Sequence, residues 1–99
     1  MAIKTTMIFT RPSTDIPWFE PSDIFKTYHM ETYVNTGKRT LGEETESEDG
    51  LTKTWVAITP DDETLRAYAQ DSNIQGMLNA RDLYCIQNNI SLTREQEEV

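Results

Sequence analysis

Cysteine, histidine and basic residues are scarce in this sequence. Among 99 residues there is one cysteine, Cys85, and one histidine, His29, and the nine Lys and Arg residues face 17 Asp and Glu residues. A single thiol cannot close an intramolecular disulfide or supply the cysteine cluster of a structural zinc site. The formal charge of −8 repels the phosphate backbones of nucleic acids and anionic lipid headgroups. We therefore expect neither a disulfide scaffold, nor a zinc domain, nor a nucleic-acid-binding protein.

Long apolar runs are also missing. No run approaches the roughly 18 residues that a membrane-spanning helix needs, and the first residues lack the apolar core of a signal peptide. Glycine-rich loops of the kind that bind phosphate groups are absent, and the acidic stretch over residues 43–49 does not have the spacing of a calcium-binding EF-hand. We expect a soluble, cytoplasmic protein with no membrane partner, no metal and no cofactor.

The rest of the composition is that of one folded domain. Hydrophobic residues make up 36% of the chain, and aromatic residues are spread from Phe9 to Tyr84, which is more than disordered chains usually contain. A chain of this length buries about two thirds of the surface that it exposes when unfolded. We expect a single domain over residues 1–99, with the acidic residues 94–99 as a frayed tail.

The first part of the chain predicts a strand followed by a helix. Residues 3–10 are rich in β-branched side chains and alternate so that Ile3, Met7 and Phe9 share one face. Three prolines within residues 11–21 exclude regular structure there. Ser22 is a good N-cap for a helix over residues 23–36, and Gly37 follows its end. The helix face that should rest on a sheet consists of Ile24, Phe25, Tyr28, His29 and Tyr33.

The middle of the chain predicts a β-hairpin. Residues 38–46 and 51–59 are β-prone, and Asp49-Gly50 between them is a strong turn signal because both residues tolerate positive φ. A two-residue turn would pair Glu46 with Lys53 and Leu41 with Ile58. In the second strand of this hairpin, one face carries Trp55 and Ala57 and the other carries Val56 and Ile58.

The last part predicts a broken helix and a final strand. Thr59 is a good N-cap for a helix that begins with Pro60 and the acids after it. Residues 71–73 interrupt this helix near Ser72, and a second segment capped by Ser72 continues to about Gln87. Residues 90–93 alternate as a short strand. The order of the elements predicts an α+β fold, the ferredoxin-like split βαββαβ with a four-stranded antiparallel sheet.

This order, together with a local pattern, resembles the dimeric α/β barrel superfamily, which includes the antibiotic-biosynthesis-monooxygenase-like proteins. The pattern begins with the hairpin strand that ends in residues 55–59 and continues through acids to Tyr68 and Asp71. It then includes the segment Leu-Asn-Ala-Arg-Asp-Leu-Tyr over residues 78–84 and ends with Asn-Ile-Ser over residues 89–91. The resemblance implies a ferredoxin-like fold and a homodimer that forms a dimeric α/β barrel through the sheet face. It implies no activity, because one fold serves many functions.

Dimerisation also follows from the hairpin itself. Helices cover one face of a four-stranded sheet, yet the hairpin strand carries large apolar side chains on both faces. The uncovered face would expose either Leu51 and Trp55 or Val56 and Ile58 to water. A second subunit on that face would remove a cost of roughly 25 cal/mol per Å² of apolar area.

Four residues are candidates for a pocket between helices and sheet: Tyr28, His29, Trp55 and Arg81. His29 on an apolar helix edge is either a packed structural residue or a group that moves protons near neutral pH. Arg81 lies within the apolar stripe of its helix. It either covers apolar surface and pairs with an acid such as Asp62, or it anchors an anionic ligand with its planar fork.

The loop over residues 11–21 holds two large side chains, Trp18 and Phe19. They either fold back as a plug on the core or on a partner subunit, or they form a lid over a pocket or a contact for another protein. Two functions are open at this point. One is a small-molecule-binding or cofactor-independent enzyme-like protein, and the other is a non-catalytic structural or interaction protein, of accessory or viral type, that uses the dimer surface or the Trp18 and Phe19 loop.

Overall fold

A computed structural model describes all 99 residues as one four-stranded antiparallel sheet with helices against it. The elements are β1 (Ile3–Thr10), α1 (Asp23–His29), a π-helical segment (Met30–Val34), β2 (Thr40–Glu46), β3 (Thr52–Thr59), α2 (Asp62–Gln70), α3 (Ser72–Gln87) and β4 (Ser91–Glu98). The strands lie in the order β2-β3-β1-β4. The predicted α+β ferredoxin-like fold is confirmed. No helix combines the length and the apolar composition that crossing a membrane requires.

The two faces of the sheet differ in burial. In β1, Ile3, Thr5 and Met7 are buried, whereas the side chains between them are only half-buried. The pairing of β1 with β3 places Ala57 opposite Thr5 and Trp55 opposite Met7. We call the helix-covered face with these residues the inner face, and the face with Ile8, Thr54, Val56 and Ile58 the outer face. Successive side chains of a strand point to opposite faces, and the division of β1 and β3 between the two faces is the one predicted from the sequence.

The hairpin has the predicted pairing near its turn and a different one farther away. Glu46 pairs with Lys53, but five residues (47–51) rather than two connect β2 and β3, with Gly50 at a φ of 74°. A bulge between Leu41 and Glu44 then shifts the register, so Leu41 lies opposite Ala57 instead of Ile58. A bulge inserts an unpaired residue, which a prediction from the turn alone does not include.

The first helix begins as predicted and changes type half-way. The Ser22 hydroxyl accepts a hydrogen bond from the backbone N–H of Phe25 at 3.2 Å. From Met30 the chain is π-helical, and the N–H of Asn35 donates to the carbonyl five residues earlier at 2.8 Å. The prediction that Ile24 rests on the sheet is wrong. Ile24 is 85% exposed, because the helix turns its Phe25 and His29 side toward the sheet.

The second helix is broken where predicted, but different residues cap its two parts. The Asp61 carboxylate accepts from the N–H of Thr64 at 2.7 Å, and the Asp71 carboxylate accepts from the N–H of Asn73 at 2.8 Å. The caps predicted at Thr59 and Ser72 are therefore wrong. Thr59 is instead the buried last residue of β3.

The last strand is longer than predicted. It runs from Ser91 to Glu98 and pairs with β1 over its whole length, and the N–H of Val99 donates to the carbonyl of Ala2 at 2.9 Å. The prediction of a frayed tail over residues 94–99 is wrong for this reason. Pairing along the free edge of β1 satisfies backbone groups that an extended acidic tail would leave in water.

Candidate ligand-binding cavity

A cavity of about 690 Å³ lies between the inner face of the sheet and the helices. This volume is within the range of small-molecule sites in proteins. Strands β1 and β3 contribute Met7, Phe9 and Trp55, and the helices contribute apolar residues such as Leu65 and Leu78. Six of the nine aromatic residues of the chain line the cavity: Phe9, Trp18, Phe19, Phe25, Trp55 and Tyr68. The cavity walls are therefore suited to an apolar or ring-shaped molecule.

Three of the four predicted pocket residues come together at this cavity and one does not. His29, Trp55 and Arg81 line it. The hydroxyl of Tyr28 instead donates a hydrogen bond to the Asp71 carboxylate, on the side of α1 that faces the start of α3. Tyr28 therefore belongs to the contact between helices and not to the cavity wall.

His29 sits among aromatic rings in the cavity wall. Its ring stacks on Phe25 at a centroid distance of 5.7 Å and forms an edge-to-face contact with Tyr68 at a centroid distance of 5.9 Å. Its Nε2 atom is buried and has no hydrogen-bond partner. Burial, together with the nearby charge of Arg39, lowers the pKa of His29 below its usual value of about 6.5. At pH 7 the imidazole is neutral and carries one nitrogen that can accept a proton.

Arg81 forms an ion pair within its own helix. Its Nε and Nη2 atoms donate to one carboxylate oxygen of Asp82 at 3.2 and 3.1 Å. The partner suggested by the sequence, Asp62, is therefore not the one observed. The side chain is 13% exposed and reaches the cavity with its stem covering apolar surface.

Sequence reasoning missed Arg39, which lies just before β2 and is only 5% exposed. Its guanidinium lies over the ring of Tyr68 at 4.2 Å and near that of Trp55 at 5.6 Å. The Nε atom has no hydrogen-bond partner, and none of the salt bridges of the structure involves Arg39. Burial lowers the pKa of this guanidinium. The only sequence signal was its place in the adjacent basic pair with Lys38.

The charge of the cavity is opposite to that of the whole chain. Six of the nine basic residues line it, but only two of the 17 acidic residues do. The basic residues are Lys26, Arg39, Lys53, Arg66, Arg81 and Arg94, and the acidic ones are Glu44 and Asp62. The structure thus concentrates basic residues around one concave space of a protein with a formal charge of −8.

The loop over residues 11–21 covers one side of the cavity. Trp18 packs on Phe9 at a centroid distance of 6.5 Å, and Phe19 packs on Tyr84 at 5.7 Å. Arg11 holds the loop in place, because its guanidinium lies 4.3 Å from the ring of Trp18 and donates to the carbonyl of Ile16 at 2.7 Å. The two aromatic side chains face the cavity. Their geometry is that of a cover folded back on the chain's own core.

Asp71 connects the helices beneath the cavity. One of its oxygens accepts hydrogen bonds from the hydroxyls of Tyr28 and Tyr33, and the other accepts from the first N–H groups of α3. Burial alone would raise the pKa of Asp71, but these hydrogen bonds outweigh it, so the pKa lies below the usual value of 3.8. Burial and the Asp71 carboxylate raise the pKa of Tyr33. The contact fixes α1 and the π-helical segment against the α2–α3 junction.

The structure brings no group of three or more His, Cys, Asp or Glu side chains together in a way that could hold a metal ion. Cys85 is buried and free, and burial raises the pKa of its thiol. The buried thiol is a packing residue of α3.

The sequence matches no protein-family model and no curated protein. Solved structures, however, match along nearly the whole chain. A conserved protein of unknown function from Bacteroides thetaiotaomicron, described as a possible oxidoreductase, gives a TM-score of 0.67 at 10% sequence identity, covering 99% of this chain and 97% of that chain. SnoaB, a cofactor-independent oxygenase from Streptomyces nogalater, gives 0.59 at 10% identity, covering 99% and 92%.

A dimeric ferredoxin-like protein from an uncultured marine organism gives a TM-score of 0.58 at 5% identity, covering 99% of this chain and 94% of that chain. An antibiotic biosynthesis monooxygenase gives 0.51 at 12% identity. The chain has the fold of the antibiotic-biosynthesis-monooxygenase-like proteins. The resemblance predicted from the element order is confirmed at the level of the fold. At these sequence identities, a shared fold does not establish a shared activity.

Proposed function

We propose that the protein binds a small, largely apolar molecule in the cavity between the sheet and the helices. The observation that carries this proposal is a volume of about 690 Å³ lined by most of the chain's aromatic residues. A concave, mostly apolar space of this size next to Met7 and Trp55 is the usual setting of a small-molecule site. The Trp18 and Phe19 loop would act as the cover that shields it from water.

The proposal is tested with a neutral fluorescent probe, N-phenylnaphthylamine. We expect saturable binding of one probe per chain. Leu65→Trp places a larger side chain in the cavity wall and should weaken binding by about tenfold or more. Leu83→Trp is the matched control, because Leu83 lies on α3 outside the cavity and is 56% exposed.

Two other outcomes decide against the proposal. If the probe does not bind, or if both tryptophan variants bind it as the unaltered protein does, the cavity is not a ligand site. A structural or interaction role through the loop with Trp18 and Phe19, or through the outer face, would then be favoured. Native mass spectrometry of the purified protein gives an independent readout, since a retained ligand adds mass to the folded chain.

We also infer that two copies associate through the outer faces of their sheets. The centre of the outer face consists of half-buried β-branched residues, among them Thr6, Ile8 and Thr54. A neighbour of the same fold is described as dimeric, which supports the association of two copies. Covering Ile8 and Ile58 in this way would remove apolar surface from water at roughly 25 cal/mol per Å².

Light scattering coupled to size-exclusion chromatography tests the homodimer. The unaltered protein should have twice the mass of one chain, and Ile8→Lys should yield monomers because two lysines would be buried facing each other. Ile86→Lys, at a 74% exposed position on α3, should remain a dimer. A monomeric unaltered protein, or a dimer that survives Ile8→Lys and not Ile86→Lys, would contradict this interface.

A second candidate function is proton transfer in the cavity, with His29 as the acceptor. It is supported by the buried Nε2 atom without a partner and by a pKa that keeps the imidazole neutral at pH 7. Bound p-nitrophenol should ionise at a lower pH than free p-nitrophenol, as its absorbance reports. His29→Gln, which keeps hydrogen-bonding groups but accepts no proton, should reduce that difference, and the part that remains is the effect of the positive charge of Arg39. Equal ionisation in the bound and free states would exclude this role.

A further inference from the structure

Arg39 is the one basic residue of the cavity that is both buried and without an acidic partner. Of the other cavity bases, Lys26, Lys53 and Arg81 each form a salt bridge, with Glu20, Glu44 and Asp82 respectively. Arg66 and Arg94 have no salt bridge, but they are exposed to water. Arg39 is 5% exposed, so it has neither an acidic partner nor full contact with water to stabilise its charge.

A buried charge without a partner is unusual, because removing an ion from water costs several kcal/mol. Cation–π contacts with the rings of Tyr68 and Trp55 offset part of this free-energy cost. They bind only the faces of the guanidinium and leave its N–H donors unused. Those donors lie in the plane of the group, which is the geometry that binds a carboxylate or a similar acid group in a fork.

The charges around Arg39 favour the same kind of occupant. The cavity collects most of the basic residues and only Glu44 and Asp62 among the acids. Three of the six bases are already paired with acids. The excess of positive charge that an entering anion meets therefore comes from Arg39, Arg66 and Arg94, with Asp62 as the one unpaired acid of the lining. A neutral or cationic ligand would leave Arg39 as unpaired as before.

We propose that the ligand of the cavity is an organic acid, with its apolar body against the aromatic walls and its anionic group paired with the guanidinium of Arg39. This inference rests on the proposed binding function and adds the chemical class of the ligand. Arg39 then has its counter-ion only in the complex, while Trp55 and Tyr68 hold the guanidinium in place before binding. The anionic group is the feature that the site selects.

Two dyes with related ring systems test the proposal. Anilinonaphthalene sulfonate carries an anionic group, and N-phenylnaphthylamine carries none. The unaltered protein should bind the sulfonate about tenfold more tightly or better, since hydrogen bonds to charged groups contribute that much. Arg39→Met should remove this preference, so that the ratio of the two affinities falls to about one or below. Arg39→Lys, which keeps the positive charge, should retain part of the preference.

Lys38→Met is the matched control. It removes the same charge from the neighbouring residue, which is exposed and outside the cavity, and it should leave both affinities unchanged. Circular dichroism and a cooperative thermal transition establish that each variant is folded, since loosely packed states also bind the sulfonate dye.

The outcomes separate the two proposals. If the neutral dye binds and the sulfonate binds no better, the cavity is a ligand site but the anion assignment is wrong. If the sulfonate binds better and Arg39→Met changes nothing, Arg39 is not the anion-binding group and the inference fails. If neither dye binds, the binding function fails and the inference fails with it.

Discussion

Replacing Arg39 with methionine should raise the thermal stability of the protein. Methionine has a similar length and is flexible enough to fill the space between Tyr68 and Trp55. The change removes a guanidinium that is 5% exposed and that no carboxylate neutralises. It also removes the two cation–π contacts, which work in the opposite direction.

The magnitude follows from these two effects. Desolvation of an ion in a protein costs several kcal/mol, and each cation–π contact returns about 0.5–2 kcal/mol. The net gain for Arg39→Met should be about 1–3 kcal/mol at 25 °C. For a domain of this size, each kcal/mol changes the melting temperature by about 4–8 °C, so a rise of about 5–20 °C is expected.

Differential scanning calorimetry at one protein concentration measures this rise, because association makes the melting temperature depend on concentration. Lys38→Met, an exposed position next in the chain, should change the stability by less than about 0.5 kcal/mol. A clear fall in melting temperature for Arg39→Met would refute the reasoning. It would mean that the guanidinium supports the folded chain and does not wait for a ligand.

The remaining predictions concern the helix junction, the cover loop and the hairpin turn. Asp71→Ala should lower the free energy of unfolding in urea by about 2–4 kcal/mol, because it removes a helix cap and leaves two tyrosine hydroxyls unpaired; Asp61→Ala, which removes only a cap, should have a smaller effect. Because the folded pKa of Asp71 is lowered, its contribution is complete above the unfolded pKa of about 3.8 and is lost as the pH falls through the lower folded value. Urea titrations of the unaltered protein and Asp71→Ala should therefore converge in strong acid and separate at pH 7. Arg11→Met should make the loop over residues 11–21 more sensitive to limited proteolysis at unchanged protease concentration, and an unchanged cleavage rate would contradict the anchoring contacts. Gly50→Ala should lower the melting temperature by several degrees, since φ is 74° there and the added Cβ would lie 3.2 Å from the Cγ2 atom of Thr14.

The sequence predicted those parts of the fold that local signals decide. Ser22 as a cap, the alternation of β1 and the break between α2 and α3 each depend on a few neighbouring residues, and all three are observed. The strand β4 was predicted too short because the acidic composition of residues 94–99 is typical of a solvated tail. Only the long-range pairing of Ile3 with Glu98 makes this segment a strand.

The cavity was predictable in part for the same reason. His29, Trp55 and Arg81 stood out as chemically distinctive residues on apolar faces, and the fold brings them to one space. Arg39 did not stand out, because the strand was predicted to begin at Lys38, where a basic pair is typical of an exposed strand end. In the structure β2 begins at Thr40, and Arg39 lies in the connection before it. The π-helical segment before Arg39 changes the periodicity with which side chains face the core, and no recognisable residue pattern indicates such a segment.

The inversion of charge between the cavity and the rest of the molecule has a kinetic consequence. Far from the protein, an approaching anion meets the field of a strongly negative body, and its rate of association should increase as added salt weakens that field. Once inside, the anion is held by contacts that salt reaches poorly, so its rate of dissociation should change little. Ionic strength would then act mainly on how fast the cavity fills and much less on how long it stays occupied, which is the reverse of the pattern for surfaces that attract their ligands from a distance.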